Sequence, residues 1–591
     1  MNSIKLLSIL LFFIFNKNLF AAENFYNIEY SKNDLKNISK NWVYNSGVLR
    51  DTQNKIIQFN DKLIHLDGYK NLLILSLIDG QEVCKNIGKK DRAPYRGLSL
   101  YTKKDVTYAI FIRQGVLKLV NVNNCKELIL ENEIKALNTT APVLVHNSMA
   151  IILPNGDTPK AYSLNSGKLI WEVSIEQKKI DVLNKINLNK KFSWDVWGGG
   201  TLDTKYNQII FSTANAKPSF TSKGREGPNL FYNSIVSINL KNGGYNWHFQ
   251  EIEHDVLNLD LASRPALINH IDGDLVIQAS KAGQLIILDR MDGKPLNNYK
   301  EKIFFHDDKK KFFTKIRQFD DWLRFSKINF KADDINELNE KYKKEAKKII
   351  EKSSIAEYKA LSKDKHFIHY GMHGGSEWPG IAADDVGQVI IPASNIAWMS
   401  KLKDPADFDF FFHFKKIFLS SLKLITFDFN KFKNNAKVII NSFNKIINFN
   451  KPGIEAYKKF ESADGIPLNS PPWGTITLID IKEKKIKWQV PHGNYPQLDI
   501  KYKNKGSEVF GCPAFIGKEV FFISGTRDKK IYAYDVKNGN ILWKDDLPYI
   551  AYGCPIIVEF NQSVYLIIDA SGGRKFRKEK MGDAIISYKL K

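Results

Sequence analysis

WDVWGGGTLDTKYNQIIFSTANAKP (194–218), SIVSINLKNGGYNWHFQEIEHDVLNLD (234–260) and VIQASKAGQLIILDRMDGK (276–294) follow one another in the middle of the chain. Each contains strand-length runs in which apolar and polar residues alternate, such as QIIFSTAN (208–215) and SIVSINL (234–240). Asn-Gly and Asp-Gly pairs separate the runs and supply the positive-φ positions of tight turns. Period-two alternation broken by such turns reads as antiparallel strands, not helix. Between the second and third segments lies a polar cluster of His254, Asp255, Asn258 and Asp260. Oxygen-bearing side chains gathered at strand ends suit a hard cation or a polar cofactor.

Outward from this centre one unit recurs: a strand, a turn with Gly, then a strand closing on Trp. It reads AYSLNSGKLIW (161–171), SINLKNGGYNW (237–247), LIDIKEKKIKW (478–488) and AYDVKNGNILW (533–543). Weaker copies are SLIDGQEV (76–83), LVNVNNCKEL (119–128) and ILDRMDGKPL (287–296). A repeat of roughly 40–50 residues with about four short strands is the signature of propeller blades. The count indicates seven or eight blades in an all-β fold, and a strand-end Trp is placed to seat its ring on the neighbouring blade. Two stretches interrupt the pattern, at about 301–365 and 402–465. The first is Lys/Glu-rich with helical spacing (INELNEKYKKEAKKIIEKSSIAEYKAL, 335–361); the second carries FDFFFHFKKIFLSSLKLITF (408–427). Both read as partly helical insertions in blade loops. Residues 410–427 either lie on a membrane surface, lysines toward headgroups, or pack on the propeller.

The chain has 591 residues, 43% of them hydrophobic, and a formal net charge of +23. That charge suits an anionic partner, but the lysines are dispersed and no aromatic-basic nucleic-acid motif is present, so nucleic acid is not expected. Residues 1–22 read as a secretory signal: Lys5, an apolar run from Leu6 to Phe15, and Ala21-Ala22. Residues 23–591 would then form an exported, periplasmic propeller. The four cysteines fit no metal or haem motif. Cys512 and Cys554, each in Gly-Cys-Pro, are the likelier disulfide pair, with free buried thiols the alternative.

Several stretches together resemble the pyrroloquinoline quinone (PQQ)-dependent quinoprotein dehydrogenases of glucose and alcohols, and look most like the membrane glucose dehydrogenase branch. They are GREGPNLFYNSIVSINLKNGGYNWHFQEIEHDV, QASKAGQLIILDRMDGK, HGGSEWPGIAADDVGQVIIPASNIAW, SPPWGTITLIDIKEKKIKWQVPHG and SGTRDKKIYAYDVKNGNILWKDDLPYIAYGCP running into DASGGRKF. The resemblance implies an eight-bladed β-propeller holding PQQ and Ca²⁺ (or a lanthanide) on its axis. It implies an alcohol, aldose or polyol substrate that gives hydride to PQQ, and a quinone or cytochrome c that accepts the electrons.

Residue by residue, the resemblance makes Arg96 a partner of a PQQ carboxylate, Thr139 a PQQ contact and Trp197 a stacking ring beneath the quinone. Glu377 and Trp378 would line the same slot, and Lys281 would hydrogen-bond the quinone oxygens. Asp157 and Asn215 match metal ligands. Two departures stand out. Gln53 occupies the place of a Glu near PQQ, and Asn258 the place of the catalytic Asp. An amide cannot take a proton from an alcohol. Asp260, two residues on, would serve as base or as metal ligand, with Asn258 a further oxygen donor. A non-catalytic PQQ- or metal-binding propeller, or an envelope scaffold, is the alternative reading that Asn258 leaves open.

Overall fold

The structure, a computed structural model, describes residues 28–175, 194–222, 225–270, 273–306, 312–403, 453–576 and 579–590. The signal at 1–22 and the aromatic segment 410–427 lie outside the described residues. The chain divides into two compact units. One comprises Met1–Ile328, Tyr370–Ile396 and Ser470–Lys591; the other comprises Asn329–His369 and Ala397–Asn469.

In the first unit, small antiparallel sheets succeed one another along the chain. They span 57–86, 99–128, 144–172, 200–250, 266–289, 382–491, 514–546 and 556–589. Each range supplies four antiparallel strands, except that 556–589 supplies three and 266–289 supplies three, the latter extended by a bridge from Leu288 to Pro295. The middle strands are sealed on both faces: Gln208–Ser212 is buried at every position, and its partner Ser234–Asn239 at all but the last. The outermost strands alternate, as Lys485–Pro491 does, because only one face packs inward. First strands of consecutive sheets lie side by side. Leu144–His146 touches Ser99–Lys103 on one side and Gly200–Asp203 on the other, and Gly200–Asp203 goes on to touch Ala266–His270. The N-terminal strand Ser39–Asn45 pairs with Ala584–Lys589 and completes the last sheet.

The strand-end tryptophans join sheet to sheet. Trp171 donates Nε1–H to Leu240 O at 3.2 Å, Trp488 to Val536 O at 2.9 Å and Trp42 to Leu77 O at 3.0 Å. Each acceptor precedes a turn glycine by three residues, and the ring lies against that glycine. Gly243 has φ +69°, and a Cβ there would come within 2.6 Å of the Trp171 ring. A side chain at this position meets both a left-handed backbone and a filled space. We expect Gly243→Ala to cost about 1–3 kcal/mol, read as a lower urea midpoint with unchanged slope. Because Trp42 belongs to the last sheet and docks on Gly80 of the first, the same device links the chain's two ends.

The stretch 301–365, expected to be partly helical, is helix in one part and strand in another. Tyr299–Phe305 and Phe313–Phe319 form a β-hairpin in the first unit, and the helix is confined to Glu340–Ile350 in the second. The alternation in FTKIRQF, with Thr314, Ile316 and Gln318 turned inward, outweighed the local Lys/Glu content. Asn339 caps the helix by accepting the Tyr342 N–H at 2.9 Å. Among its described residues the second unit also holds a sheet of Ser353–Ser354, His366–His369, Trp398–Lys403 and Gly453–Lys459. Both Cys512–Cys554 and Cys84–Cys125 are disulfides, so no free thiol remains. Among the described residues, no helix is long and apolar enough to cross a membrane.

Candidate functional site

The segments that lead into the first strands of the sheets converge on one cavity, about 690 Å³ and open to solvent. Gln53, Arg96, Gly199, Arg264, Trp378 and Cys554 line it. They precede the strands beginning at Ile57, Ser99, Gly200, Ala266, Ala382 and Ile556. Sheets arranged so that first strands are neighbours bring these entry loops together, which is why residues far apart in sequence share one wall.

Arg96 is central to it. Its N–H donates to Thr140 O at 2.9 Å, which ties it to the turn holding the buried Thr139, and its Nη1 donates to Trp197 O at 2.9 Å. The guanidinium lies 4.6 Å from the Trp197 ring and 5.6 Å from that of Trp378. Burial pulls it down to about 10, with Glu377 opposing, so it stays charged at neutral pH. Its Nε has no partner, nor do the buried Gln53 Oε1, Glu377 Oε1 and Trp378 Nε1. Unmatched buried polar atoms are costly; several around one slot mark a place where a ligand completes the bonding.

Lys281 Nζ lies 5.3 Å from the Trp197 ring and 2.9 Å from Asp260 Oδ2. The other oxygen, Asp260 Oδ1, accepts the Asn215 N–H at 2.6 Å. Asp255 shapes the loop between them by accepting the Leu257 and Leu259 N–H groups, leaving the buried Asn258 at φ 62°. Glu377 is buried, and desolvation pushes its carboxyl up, with the positive charges of Lys281 and Lys575 opposing.

Thus Gln53, Arg96, Trp197, Lys281, Glu377 and Trp378 are gathered at or beside the cavity, and Asn215 and Asp260 are joined. Asp157 is not brought to them: its side chain is exposed, and Oδ2 pairs with Lys160 at 3.1 Å. In a two-stranded sheet of Asn155–Asp157 and Trp194–Asp195 it opposes Trp194, and Asp195 opposes Asn155. Asp195 is the carboxylate coupled to Asp260. Burial pushes it up, Asp260 adds to the rise, and Lys217 at 3.8 Å opposes. Asn215 Oδ1 also accepts from Lys217 Nζ, at 3.2 Å. Among the described residues, no group of three or more His, Cys, Asp or Glu side chains is placed to hold a metal. Lys575 was not anticipated either. Its N–H donates to the Tyr552 hydroxyl at 2.8 Å and its ammonium lies 5.1 Å from the Trp378 ring. Its signal was the Gly572-Gly573 pair in DASGGRKF, which turns the chain inward.

Glu251 is fully buried, and one of its oxygens accepts from Gln284 Nε2 at 2.7 Å. Desolvation raises its pKa to about 7. A raised carboxyl pKa means the native state holds a proton that the unfolded chain has released. Stability therefore falls as pH rises from about 4.3 to about 7, by roughly 3 kcal/mol. Glu251→Gln is expected to flatten this part of the curve, checked by chemical unfolding at intervals between pH 4.5 and 7.5.

Residues 139–566 match the family described as PQQ glucose/ethanol/alcohol dehydrogenase, beta-propeller domain. The quinate/shikimate dehydrogenase (quinone) of Acinetobacter baylyi is 23% identical over 76% of this chain and 55% of its own length. Quinoprotein glucose dehydrogenase A of Acinetobacter calcoaceticus is 25% identical over 77% of this chain and 57% of its own. The chain thus spans little more than half the length of these curated relatives. Two solved structures share the fold. The quinohemoprotein alcohol dehydrogenase of Comamonas testosteroni gives a TM-score of 0.64 at 15% identity, covering 95% of this chain and 78% of the other. A europium-containing methanol dehydrogenase gives 0.64 at 12%, covering 97% of each. With most of its length matched by the family and its entry loops meeting on one cation-lined cavity, the chain belongs to the PQQ-dependent glucose/ethanol/alcohol dehydrogenase β-propeller family.

Proposed function

We propose that this chain is the catalytic propeller of an exported PQQ-dependent dehydrogenase acting on the hydroxyl of an alcohol, aldose or polyol. The observation that carries the reading is the convergence of Arg96, Lys281 and Lys575 on Trp197 and Trp378, with unpartnered buried polar atoms around them. These residues fit PQQ, a flat tricarboxylate: guanidinium and ammonium groups match its carboxylates, and indole faces match its ring. When bound, PQQ supplies the ortho-quinone that accepts hydride. The succession of eight small sheets, with the N-terminal strand completing the last, supports an eight-bladed ring.

The roles of the chain's own side chains follow from their placement. Arg96 anchors a cofactor carboxylate, and Thr139 holds the adjoining turn. Trp197 and Trp378 offer stacking faces, and Glu377 and Gln53 offer acceptors. Lys281 places positive charge where oxygen becomes electron-rich, pre-oriented by Asp260. Asp260 lies two residues beyond the expected base position at Asn258 and pairs with Lys281, and we assign it the substrate's hydroxyl proton. Asn215 and Asp260, with Asp195 beside them, supply the hard oxygen donors that Ca²⁺ or a lanthanide takes. Asn258 is a further donor, and Asp157, exposed and paired with Lys160, is a weaker candidate. Electrons would leave to a quinone or cytochrome c, and residues 410–427 would bring the propeller to a membrane surface.

Reconstitution of the purified protein with PQQ and Ca²⁺ or a light lanthanide, followed by dye-linked oxidation of sugars and alcohols, tests the reading. Turnover that Asp260→Asn lowers by at least a hundredfold, with PQQ still bound, supports it. Asn258 favours a second reading, a propeller that binds PQQ without turnover; stoichiometric binding with no oxidation across the panel would establish that one instead.

A further inference from the structure

A second cavity, about 370 Å³ with its open mouth included, shares Gln53 and Asn54 with the first. Its other walls include Arg50, Asp51, Arg92 and Arg574. Arg50 Nη2 donates to the Arg92 carbonyl at 3.0 Å, and both guanidiniums lie about the Tyr69 ring, at 6.0 and 5.9 Å. Among the described residues, no carboxylate lies within ion-pair distance of Arg50, Arg92 or Arg574. The other charges there are already satisfied. Lys70 Nζ is 2.9 Å from Asp91, and Asp67 accepts from the Tyr69 and Asn71 amides and the Asn71 side chain. Asp51 is the remaining carboxyl; burial pushes it up against the nearby charges of Arg574, Arg50 and Lys575.

Arg574 and Lys575 are consecutive, yet they serve different cavities: Arg574 lines the second, and Lys575 stands by Trp378 in the first. The second cavity is therefore within one residue's reach of the proposed reaction centre. A neutral sugar placed there would add no counter-charge to the three guanidiniums, of which Arg92 and Arg574 are exposed and beside which Asp51 is the remaining carboxyl. A carboxylate would instead accept charge-assisted, bidentate bonds, and Asp51 would meet a ligand hydroxyl.

We propose that this second cavity recognises a carboxylate, so that the substrate is a hydroxy acid whose carboxylate is held by Arg92 and Arg574 while its hydroxyl reaches the first cavity. The binding step stands on these residues alone; only the word substrate rests on the dehydrogenase reading.

The test uses the full chain without cofactor, which turns nothing over, and titrates D-gluconate, sorbitol and glucose 6-phosphate by calorimetry. D-gluconate is expected to bind at least tenfold more tightly than sorbitol. Arg92→Ala and the double variant R92A/R574A are expected to weaken it about tenfold or more and to leave sorbitol unchanged. Arg92 is exposed, its side chain meets only the face of the Tyr69 ring and its carbonyl bond to Arg50 survives truncation, so the single variant keeps the fold even where the double does not. Equal binding of gluconate and sorbitol, gluconate binding indifferent to Arg92, or tighter binding of glucose 6-phosphate would each overturn the assignment. Turnover of neutral polyols by the PQQ-loaded protein without preference for gluconate would remove the subsite and keep the dehydrogenase. Arginine-dependent gluconate binding with no turnover of any hydroxyl compound would do the reverse.

Discussion

Lys281→Met lowers the unfolding free energy by about 3–5 kcal/mol and removes PQQ affinity. Lys281 and Asp260 are 4% and 6% exposed, and their charges meet at 2.9 Å. Without the ammonium, Asp260 keeps only the Asn215 amide at Oδ1 and becomes a buried, uncompensated carboxylate. The contrast is with pairs such as Lys294–Asp292, whose side chains are 80% and 36% exposed; truncating those costs under about 1 kcal/mol. The double variant K281M/D260L isolates the cause, because removing both charges restores much of the loss. Urea unfolding of the cofactor-free protein, followed by circular dichroism, reads all three. A Lys281→Met variant as stable as the parent would mean that the pair is solvated.

Trp378→Ala is the second large effect, about 3–5 kcal/mol with PQQ affinity down at least a hundredfold. The indole stacks on Phe510 with centroids 5.1 Å apart and meets Tyr552 edge-on at 6.1 Å. Ile550 and Phe576 complete the cluster, against which Trp197 packs. Deleting the ring opens a void beneath Arg96 and removes one of the two indoles near its guanidinium. Trp378→Phe keeps most of the volume and is expected to cost less than half as much. Thermal unfolding and PQQ titration of both variants separate packing from binding.

What was legible in the chain was local. Alternating runs punctuated by Asn-Gly, and the Trp closing each unit, are set by residues a few positions apart, so strands, turns and the Trp171 and Trp488 docking sites were readable. The hairpin at Tyr299–Phe319 was missed because its Lys/Glu content masked the inward alternation of Thr314, Ile316 and Gln318. The Cys84–Cys125 disulfide joins an outer strand of one sheet to a turn of the next, 41 residues on, and such pairing depends on how sheets stand beside each other. The site divides the same way. Arg96, Trp197, Lys281, Glu377 and Trp378 sit in recognisable motifs. Asp195 and Lys575 join them through tertiary placement, and the arginines of the second cavity come from loops near residues 50, 92 and 574 that no local pattern connects.

The central claim is that the cation-lined slot holds PQQ. Titration of PQQ into the purified protein with Ca²⁺ present, read by quenching of tryptophan emission, measures it directly. One equivalent bound per chain, with affinity reduced at least a hundredfold by Arg96→Ala, is the expected result. Absence of saturable binding with Ca²⁺ and with a lanthanide alike, in protein shown to be folded, would contradict it.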